Sequence, residues 1–404
     1  MYDFNTEIAR YLREDLGCKQ LVNAGHWRSC DPVLVDDAER YSYTANEVIG
    51  KNHYFSALHT GRTRGWQIME DHIFTNQSAT RAPRELPTCI KQVAGHPFII
   101  PESLWVPPNR YEAEGPIIVA SQQALNGVDV FFWFANGEVE WNPAVSGSSL
   151  TKWTYATPMQ LGQFPAAALM FRQGYVREGK PVVVEHRSLD NLWDATLPLV
   201  AESAAYDPNR DEGNFAPEVK LDSPVDPLAF LVGPVLVKYD ADPKDTVIAD
   251  YAPYIDRQGQ RVRSNTGEIE INYGRGLYTV STPTAQAATG FLGSADEIAL
   301  ASVRVVCRNE YASIAVVSLD GAPIESSGKI LIQSGTFQRP TGWKKEQVRL
   351  EIDGEATDAF RIMECGTGPW QIEKIDAEVR VENDSFTKAI QLDANGMAVR
   401  EVPV

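Results

Sequence analysis

The residues best suited to chemistry stand at the ends of four short apolar runs in the first third of the chain. One of them is a carboxylate, Glu102, in the run FIIPES. A carboxylate that is fixed at a strand end can attack an electrophilic carbon or transfer a proton. The other side chains can bind hydroxyl groups or offer a flat apolar face to a ligand, and they are His26, Trp27, Asn52, His53, Tyr54, Trp105 and Trp133. These strand ends are therefore a candidate binding and catalytic site, in which Tyr54 or His53 donates a hydrogen bond that keeps Glu102 ionised.

A structural role is the alternative for each of these residues. Glu102 could form an ion pair with Arg84 or Arg110. The side chains of His53 and Tyr54 could pack behind the site without touching a ligand, and each tryptophan could be an ordinary core aromatic.

Other constellations in the sequence are weaker. Glu70-Asp71 and Glu138 could supply a second carboxylate, but their positions between the runs favour solvated loop charges. The segment DPNRDEG places Asp207, Asn209 and Asp211 at alternate positions, as calcium loops do, yet Glu212 stands where such a loop needs glycine. There is no G-x-S-x-G motif for a nucleophilic serine. The sequence therefore predicts no bound metal and no cofactor.

The elements that position these residues alternate between strands and helices. The predicted strands cover residues 19–24, 47–55, 97–104 and 128–134, and the predicted helices cover 5–16, 86–94, 117–125 and 158–171. Compact apolar strands that alternate with helices are typical of a parallel sheet that is buried on both faces. The candidate residues then lie at the carboxyl ends of the strands, the face on which (β/α)8 barrels build their sites.

The barrel is incomplete, and a different pattern follows it. Four strand–helix units are present, whereas a closed barrel needs eight and about 250 residues. After Gly174 the chain becomes a series of short strands with glycine-containing turns, which is typical of a sandwich. We predict a partial (β/α) TIM-type barrel at residues 1–173 and an antiparallel β-sandwich at 174–404, with a polar connection at 206–227.

Composition excludes some partners. The 404 residues carry a formal net charge of −17 without a basic patch, which disfavours nucleic acid. No apolar stretch of about 18 residues exists, so the sequence predicts no membrane span. The amino terminus has no signal-peptide pattern, and any export signal would lie on sequence that is not present. Five cysteines without a C-x-x-C pair favour free thiols over zinc or redox chemistry.

The run His96–Trp105 (HPFIIPESLW) resembles the seventh strand of clan-A glycoside hydrolases, which ends in the nucleophilic Glu. Val48–Phe55 (VIGKNHYF) resembles the sixth strand, Phe131–Phe134 (FFWF) the eighth, and Lys19–Trp27 then corresponds to the fifth. The segment Thr279–Gly293 is similar to the C-terminal β-sandwich of large bacterial polysaccharide hydrolases. Further similarity to that sandwich is found at Val317–Pro323 and at Thr341-Gly342-Trp343.

The resemblance implies a retaining glycosidase that acts on a β-linked oligo- or polysaccharide. Such enzymes use two carboxyl groups about 5–5.5 Å apart, one as nucleophile and one as acid/base. Glu102 matches the nucleophile, whereas the acid/base Glu of the fourth strand would lie upstream of Met1. The resemblance also implies a secreted or periplasmic parent enzyme, and it leaves the sugar, the linkage and the mode of cleavage open.

Three explanations of the half-barrel remain open. The chain could be a fragment of a longer enzyme, or a subunit whose barrel is completed by another polypeptide or by a second copy in a homo-oligomer. It could also be a module that binds carbohydrate without cleaving it. All three follow from the unpaired edges of an open parallel sheet, which invite pairing with another chain.

Overall fold

The computed structural model describes residues 1–27, 31–136, 145–146, 149–203, 221–352 and 354–403. Within these residues the fold is mixed α/β. Small parallel sheets occupy the amino-terminal half, and a large antiparallel sheet dominates the carboxyl-terminal half. The described strands form no closed barrel.

Helices are concentrated in the first half of the described chain. The α-helices are α1 (Tyr2–Glu14), α2 (Asp36–Tyr43), α3 (Gly115–Asn126), α4 (Pro158–Leu161), α5 (Phe164–Arg172) and α6 (Leu189–Trp193). Short 3-10 helices cover Pro83–Glu85, Glu112–Glu114, Pro227–Leu231, Pro243–Asp245, Ala252–Tyr254 and Leu292–Ser294.

The strands of residues 1–203 are short. They are β1 (Ile49–Gly50), β2 (Phe55–Ser56), β3 (His59–Thr60), β4 (Gln67–Met69), β5 (Ile73–Phe74), β6 (Gln92–Val93), β7 (Phe98–Ser103), β8 (Trp105–Val106), β9 (Val130–Trp133), β10 (Val145–Ser146), β11 (Ser149–Thr151) and β12 (Val183–Arg187).

The remaining strands follow residue 221. They are β13 (Val235–Tyr239), β14 (Val247–Ile248), β15 (Ile255–Asp256), β16 (Arg261–Arg263), β17 (Ile269–Asn272), β18 (Leu277–Ser281), β19 (Ala285–Gly290), β20 (Ile298–Ala299), β21 (Val303–Cys307), β22 (Ala312–Ser318), β23 (Ile330–Gly335), β24 (Gln338–Thr341), β25 (Lys344–Ile352), β26 (Glu355–Glu364), β27 (Thr367–Ile372), β28 (Ala377–Val381), β29 (Ala389–Leu392) and β30 (Ala398–Val402).

A parallel sheet with the order β1-β7-β9 holds the candidate site. Ile49 and Gly50 pair with Phe98 and Ile99, and Ile99 pairs in turn with Val130. A parallel bridge between Asn23 and Val48 adds a fourth chain segment beside β1. The four predicted strands thus lie side by side in chain order.

Helix α3 packs against β9 of this sheet. It begins with a proline in its first turn and ends where Gly127 adopts a φ of 72°, a left-handed conformation that glycine tolerates without strain. Almost all of its residues are buried, including the polar Ser121, Gln122 and Gln123. The helix therefore supports one edge strand of the sheet that carries Glu102.

A second parallel sheet joins the two halves of the chain. Strands β12 and β13 pair in parallel, and β13 also pairs in parallel with β6. Sequence patterns predicted a helix at residues 86–94, but this segment contains β6, after a 3-10 turn that ends at Glu85. That prediction is wrong because apolar spacing over nine residues does not distinguish a short buried strand from a helix.

The large antiparallel sheet has the order β15-β16-β17-β18-β19-β22-β23, and the three-stranded sheet β20-β21-β28 accompanies it. A long hairpin of β25 and β26 extends from this region, and Phe360 of β26 pairs with Phe74 of β5. The carboxyl-terminal half therefore contacts β5, which lies in the chain between strands β1 and β7 of the first parallel sheet.

One hydrophobic core runs through both halves of the molecule. Buried residues of the helical layer, such as Ile117 and Met170, belong to the same cluster as Val235, Tyr278 and Ala315. Packing therefore continues across residue 174, and the predicted domain division there stays a prediction.

None of the helices in the described part of the chain combines the length and apolar composition needed to span a bilayer. The four described cysteines, Cys18, Cys89, Cys307 and Cys365, are free thiols, and Cys30 lies outside the described residues.

Candidate active site

The candidate site is a row of side chains at the carboxyl ends of neighbouring parallel strands. The backbone N–H of Asn52 donates to the carbonyl of His26 at 2.9 Å, and the N–H of His53 donates to the carbonyl of Glu102 at 3.3 Å. On the other side of Glu102, Ser103 pairs with Trp133. The register of the sheet therefore brings together residues that are more than 100 positions apart in the chain.

Glu102 is the central carboxylate of this row, and its side chain is 15% exposed. The hydroxyl of Tyr54 donates a hydrogen bond to its Oε2 at 2.6 Å. The Tyr54 ring is buried against Trp153, with the ring centroids 4.9 Å apart, and against Phe134 at 6.4 Å. A packed phenol thus holds one carboxylate oxygen in place, as the sequence predicted for Tyr54 or His53.

His26 and Asn52 lie on the opposite side of the carboxylate. Nδ1 of His26 is 2.9 Å from the amide oxygen of Asn52 and 3.8 Å from Oε1 of Glu102. Because an amide oxygen can only accept, Nδ1 carries the hydrogen in this arrangement. Glu102 therefore lies between the Tyr54 hydroxyl, which bonds it, and the His26 ring, and part of its side chain remains exposed.

Trp27 is the most exposed aromatic of the predicted set. Its side chain is 47% exposed, and its ring centroid is 6.3 Å from that of His26. It is placed to offer a flat apolar face beside His26.

Two predicted residues are turned away from solvent. Trp105 is 0% exposed and donates from its indole nitrogen to Glu114 at 3.1 Å, so it presents no free face. The side chain of His53 is fully buried. Trp133 is half-buried and packs against Trp105 and Phe131. Trp105 and His53 therefore lie behind the row, whereas part of Trp133 stays accessible.

The ion-pair alternative for Glu102 does not occur among the described residues. Arg84 lies 3.5 Å from Asp226, and Arg110 lies 4.0 Å from Glu310. Neither arginine pairs with Glu102 in the part of the chain that the structure describes.

Two exposed apolar residues on β9 had not been predicted. Phe132 is 52% exposed and Val130 is 37% exposed, and both lie on the face of the sheet opposite α3. Val130 pairs with Ile99 of β7, and Ile99 pairs in turn with Gly50 of β1. The alternation of exposed and half-buried residues along β9 was hidden in the sequence because all four residues are apolar.

The candidate carboxylates that the structure describes, Glu70 and Asp71, lie in a turn outside this row. Glu70 and Asp71 are exposed in the turn between β4 and β5, where the N–H of Asp71 donates to Ile362. Glu138 and the DPNRDEG segment lie outside the described residues. In the described chain no group of three or more His, Cys, Asp or Glu side chains could hold a metal ion.

Two buried carboxyl groups were missed by the sequence analysis. Burial raises the pKa of Glu114 to about 7, although it accepts hydrogen bonds from Ser78, Ala79 and Trp105. Burial raises the pKa of Glu112 to about 7 as well. Both precede an apolar helix, and two acidic residues next to Gly-Pro at a helix start are the signal that could have drawn attention to them.

The chain matches no protein-family model, no curated protein and no solved structure. The function is therefore inferred from the site itself.

Proposed function

We propose that this protein is a retaining glycoside hydrolase of β-linked oligo- or polysaccharides, with Glu102 as the nucleophile. The observation that carries the proposal is the environment of Glu102. A strand-end carboxylate is partly exposed, is fixed by Tyr54 at 2.6 Å and lies beside His26, whose ring is next to that of the exposed Trp27. Its resemblance to clan-A enzymes rests on the same strand.

The parallel sheet supports the finer fold proposal, the carboxyl-terminal half of a (β/α)8 barrel. The segment at Asn23, β1, β7 and β9 are adjacent, parallel and in chain order, which is the arrangement of consecutive barrel strands. No described strand pairs with the free edge of β9. The exposed Phe132 and Val130 then line the face that the missing strands of a barrel would cover.

The chemistry would proceed in two steps. In the first, an oxygen of Glu102 attacks the anomeric carbon, the glycosidic bond breaks, and its electron pair leaves with the aglycone oxygen. In the second, water attacks the same carbon, the ester bond breaks to release Glu102 as a carboxylate, and the proton that water loses passes through solvent to the aglycone oxygen freed in the first step. Tyr54 would hold the carboxylate in line, while His26 and Asn52 would bind sugar hydroxyls and Trp27 would pack against the ring.

A carbohydrate-binding module without turnover is the second candidate. Among the described residues, the hydrogen-bonded cluster around Glu102 contains one carboxylate, whereas a retaining mechanism uses two. A binding module would keep the aromatic and polar side chains of the row but would not need the second carboxylate.

Hydrolysis of aryl β-glycosides with activated leaving groups separates the two candidates. Such leaving groups need little proton assistance, so a site that lacks only its acid/base should still turn over slowly. We expect measurable release of the phenol by the full chain and a loss of at least about 100-fold in the Glu102→Gln variant.

The exposed Glu70→Gln variant is the matched control and should keep the rate of the unmodified chain. If a folded sample, verified by circular dichroism, binds oligosaccharides but releases no phenol, the binding-module candidate replaces the enzyme. If both variants are equally active, Glu102 is not the nucleophile.

A further inference from the structure

A separate cavity of about 790 Å³ lies between the first half of the chain and the β24–β27 region. One wall is formed by residues such as Asn76 and Thr151, and the other by Trp343 and Trp370. The volume falls within the range of small-molecule sites, about 300–1,000 Å³. No residue of the Glu102 row lines it.

Three cationic side chains line this cavity although the whole protein is strongly acidic. Lys345 has its Nζ 3.4 Å from the centroid of the Phe360 ring, and Arg339 donates to the neutral amide of Gln371 at 3.2 Å. Neither forms an ion pair among the described residues. Arg110 lies 3.5 Å above the Phe337 ring and has a carboxylate neighbour, Glu310, at 4.0 Å. The positive charges are therefore held largely by aromatic rings and amides rather than by counter-ions.

Two carboxyl groups, Glu112 and Glu373, also line the cavity, so its three cationic side chains still outnumber its carboxyl groups by one. Glu373 is engaged by the amide of Asn309 at 2.8 Å. Glu112 accepts through Oε2 from Thr157, Gln160 and Gln338. Since burial raises the pKa of Glu112 to about 7, part of the population is uncharged at neutral pH. Burial, and to a smaller extent the nearby Arg110, lowers the pKa of Lys345 to about 8.

The remaining walls favour a ring-shaped, hydroxylated ligand. Trp343 and Trp370 are half-buried, and Gln338 and Gln371 contribute amide groups. Flat indole faces pack against the C–H side of a pyranose, and amides bind its hydroxyls. A simple inorganic anion would leave these faces unused.

We propose that this cavity binds an anionic oligosaccharide, one whose sugar rings pack on Trp343 and Trp370 and whose carboxylate or sulfate groups meet Arg110, Arg339 and Lys345. The choice of a saccharide as the carrier of the anion rests on the proposed function. Binding at the cavity does not require hydrolysis at Glu102.

Calorimetric titration of the full chain tests the site. The probes are a galacturonic acid trimer, a sulfated galactose trimer, a neutral galactose trimer and inorganic sulfate. We expect at least one anionic trimer to bind at least about tenfold more tightly than the neutral trimer and inorganic sulfate. Comparison of the two anionic trimers identifies the anionic group.

Substitutions at the cavity test whether the anionic trimer binds there. Arg339→Gln combined with Lys345→Gln should weaken binding by at least about tenfold, and Trp370→Ala should also weaken it. Arg349→Gln on the same strand as Lys345, and Trp66→Ala at another exposed tryptophan, should leave binding unchanged. Glu102→Gln should also bind normally, which separates this site from the proposed catalytic one.

Four results would overturn the proposal. One is equal affinity for the neutral and anionic trimers, and another is an affinity for inorganic sulfate equal to that for the anionic trimers. The third is an absence of binding at millimolar concentrations. The fourth is binding that the double variant preserves, on protein with an unchanged circular dichroism spectrum.

Discussion

At the scale of single residues, the position of Glu102 depends on one phenol. Tyr54 is buried between Trp153 and Phe134, so its hydroxyl has little freedom to move away from the carboxylate. A hydrogen bond to a charged group contributes about 1.5–3 kcal/mol, more than a bond between neutral groups. Tyr54 is therefore a positioning residue for the proposed nucleophile.

Replacement of Tyr54 by phenylalanine should lower kcat on aryl glycosides by roughly 10- to 100-fold, with KM little changed, because the hydrogen bond orients the carboxylate. Steady-state kinetics measures this split. Tyr278→Phe removes a buried hydroxyl that bonds Ser121 far from the site and should leave kcat unchanged. A rise in KM at constant kcat would show that Tyr54 acts on binding alone.

The buried carboxyl of Glu114 predicts a dependence of stability on pH. Its pKa is about 7 in the folded protein, against an ordinary value of 4.5. The protonated form is favoured by folding, so this stabilisation is complete below pH 4.5 and is lost as the pH rises through 7. Complete deprotonation of Glu114 in the folded protein lowers the free energy of unfolding by about 3 kcal/mol.

The Glu114→Gln variant should therefore lose less free energy of unfolding between pH 4.5 and pH 8 than the unmodified protein. Urea unfolding at several pH values measures how steeply the free energy of unfolding of each protein changes with pH. Glu112 titrates in the same direction, so the slope should decrease without vanishing. Equal slopes in the two proteins would contradict the account, and Glu70→Gln serves as the exposed control.

Sequence patterns located the row of Glu102, Asn52 and His26 because polar residues interrupt apolar runs at strand ends. They did not separate Trp27, which is exposed, from Trp105, which is fully buried. Composition alone does not show whether a tryptophan near a strand end faces solvent or the protein core. That information lies in the packing of α3 and in the bond between Trp105 and Glu114.

At the scale of elements, a buried network of charges joins helix α2 to both parallel sheets. Arg40 lies 2.9 Å from Asp36 and 2.7 Å from Glu202, and it is fully buried. Lys91 lies 2.7 Å from Asp37, which also accepts from Tyr239 of β13 at 2.8 Å. Lys51, directly after β1, lies 3.1 Å from Asp36, so the network also holds α2 beside the sheet that carries the candidate site.

Replacement of Arg40 by methionine should destabilise the protein by about 3–5 kcal/mol, because Asp36 and Glu202 would stay buried without their shared cation. Chemical unfolding measures the change. Arg10→Met removes an exposed pair with Glu14 and should change stability by less than about 1 kcal/mol. Similar small effects for both variants would show that water reaches the network.

The sequence of α2, DDAERYSY, reads as an exposed acidic helix, and nothing local shows that its charges are buried. Their partners come from Lys91, Glu202 and Arg187, which are distant in the chain. In contrast, α3 and the strands β1, β7 and β9 were predictable, because their apolar runs are bounded by proline, glycine and polar residues.

At the scale of the whole molecule, one core connects the helical layer with the large antiparallel sheet. Ile117 of α3 and Met170 of α5 share a buried cluster with Tyr278 and Ala315. The parallel pairing of β6 with β13 also links residues on either side of position 174. A change of sequence pattern marks where strand spacing changes, but it does not show whether packing stops there.

Thermal unfolding should therefore occur in a single cooperative transition, because neither half can lose its core without exposing that of the other. Calorimetry and tryptophan fluorescence should give the same midpoint. Two well-separated transitions, one for each side of residue 174, would show that the halves unfold independently.

The most direct test of the central claim is covalent trapping of the proposed nucleophile. The full chain would be incubated with dinitrophenyl 2-deoxy-2-fluoro-β-glycosides of several sugars, digested and examined by mass spectrometry. The carboxylate displaces dinitrophenolate, and the fluorine slows hydrolysis of the resulting ester. The account predicts a glycosyl adduct on Glu102 that is absent from the Glu102→Gln variant. An adduct on another carboxylate, or no adduct with any sugar on folded protein, would contradict it.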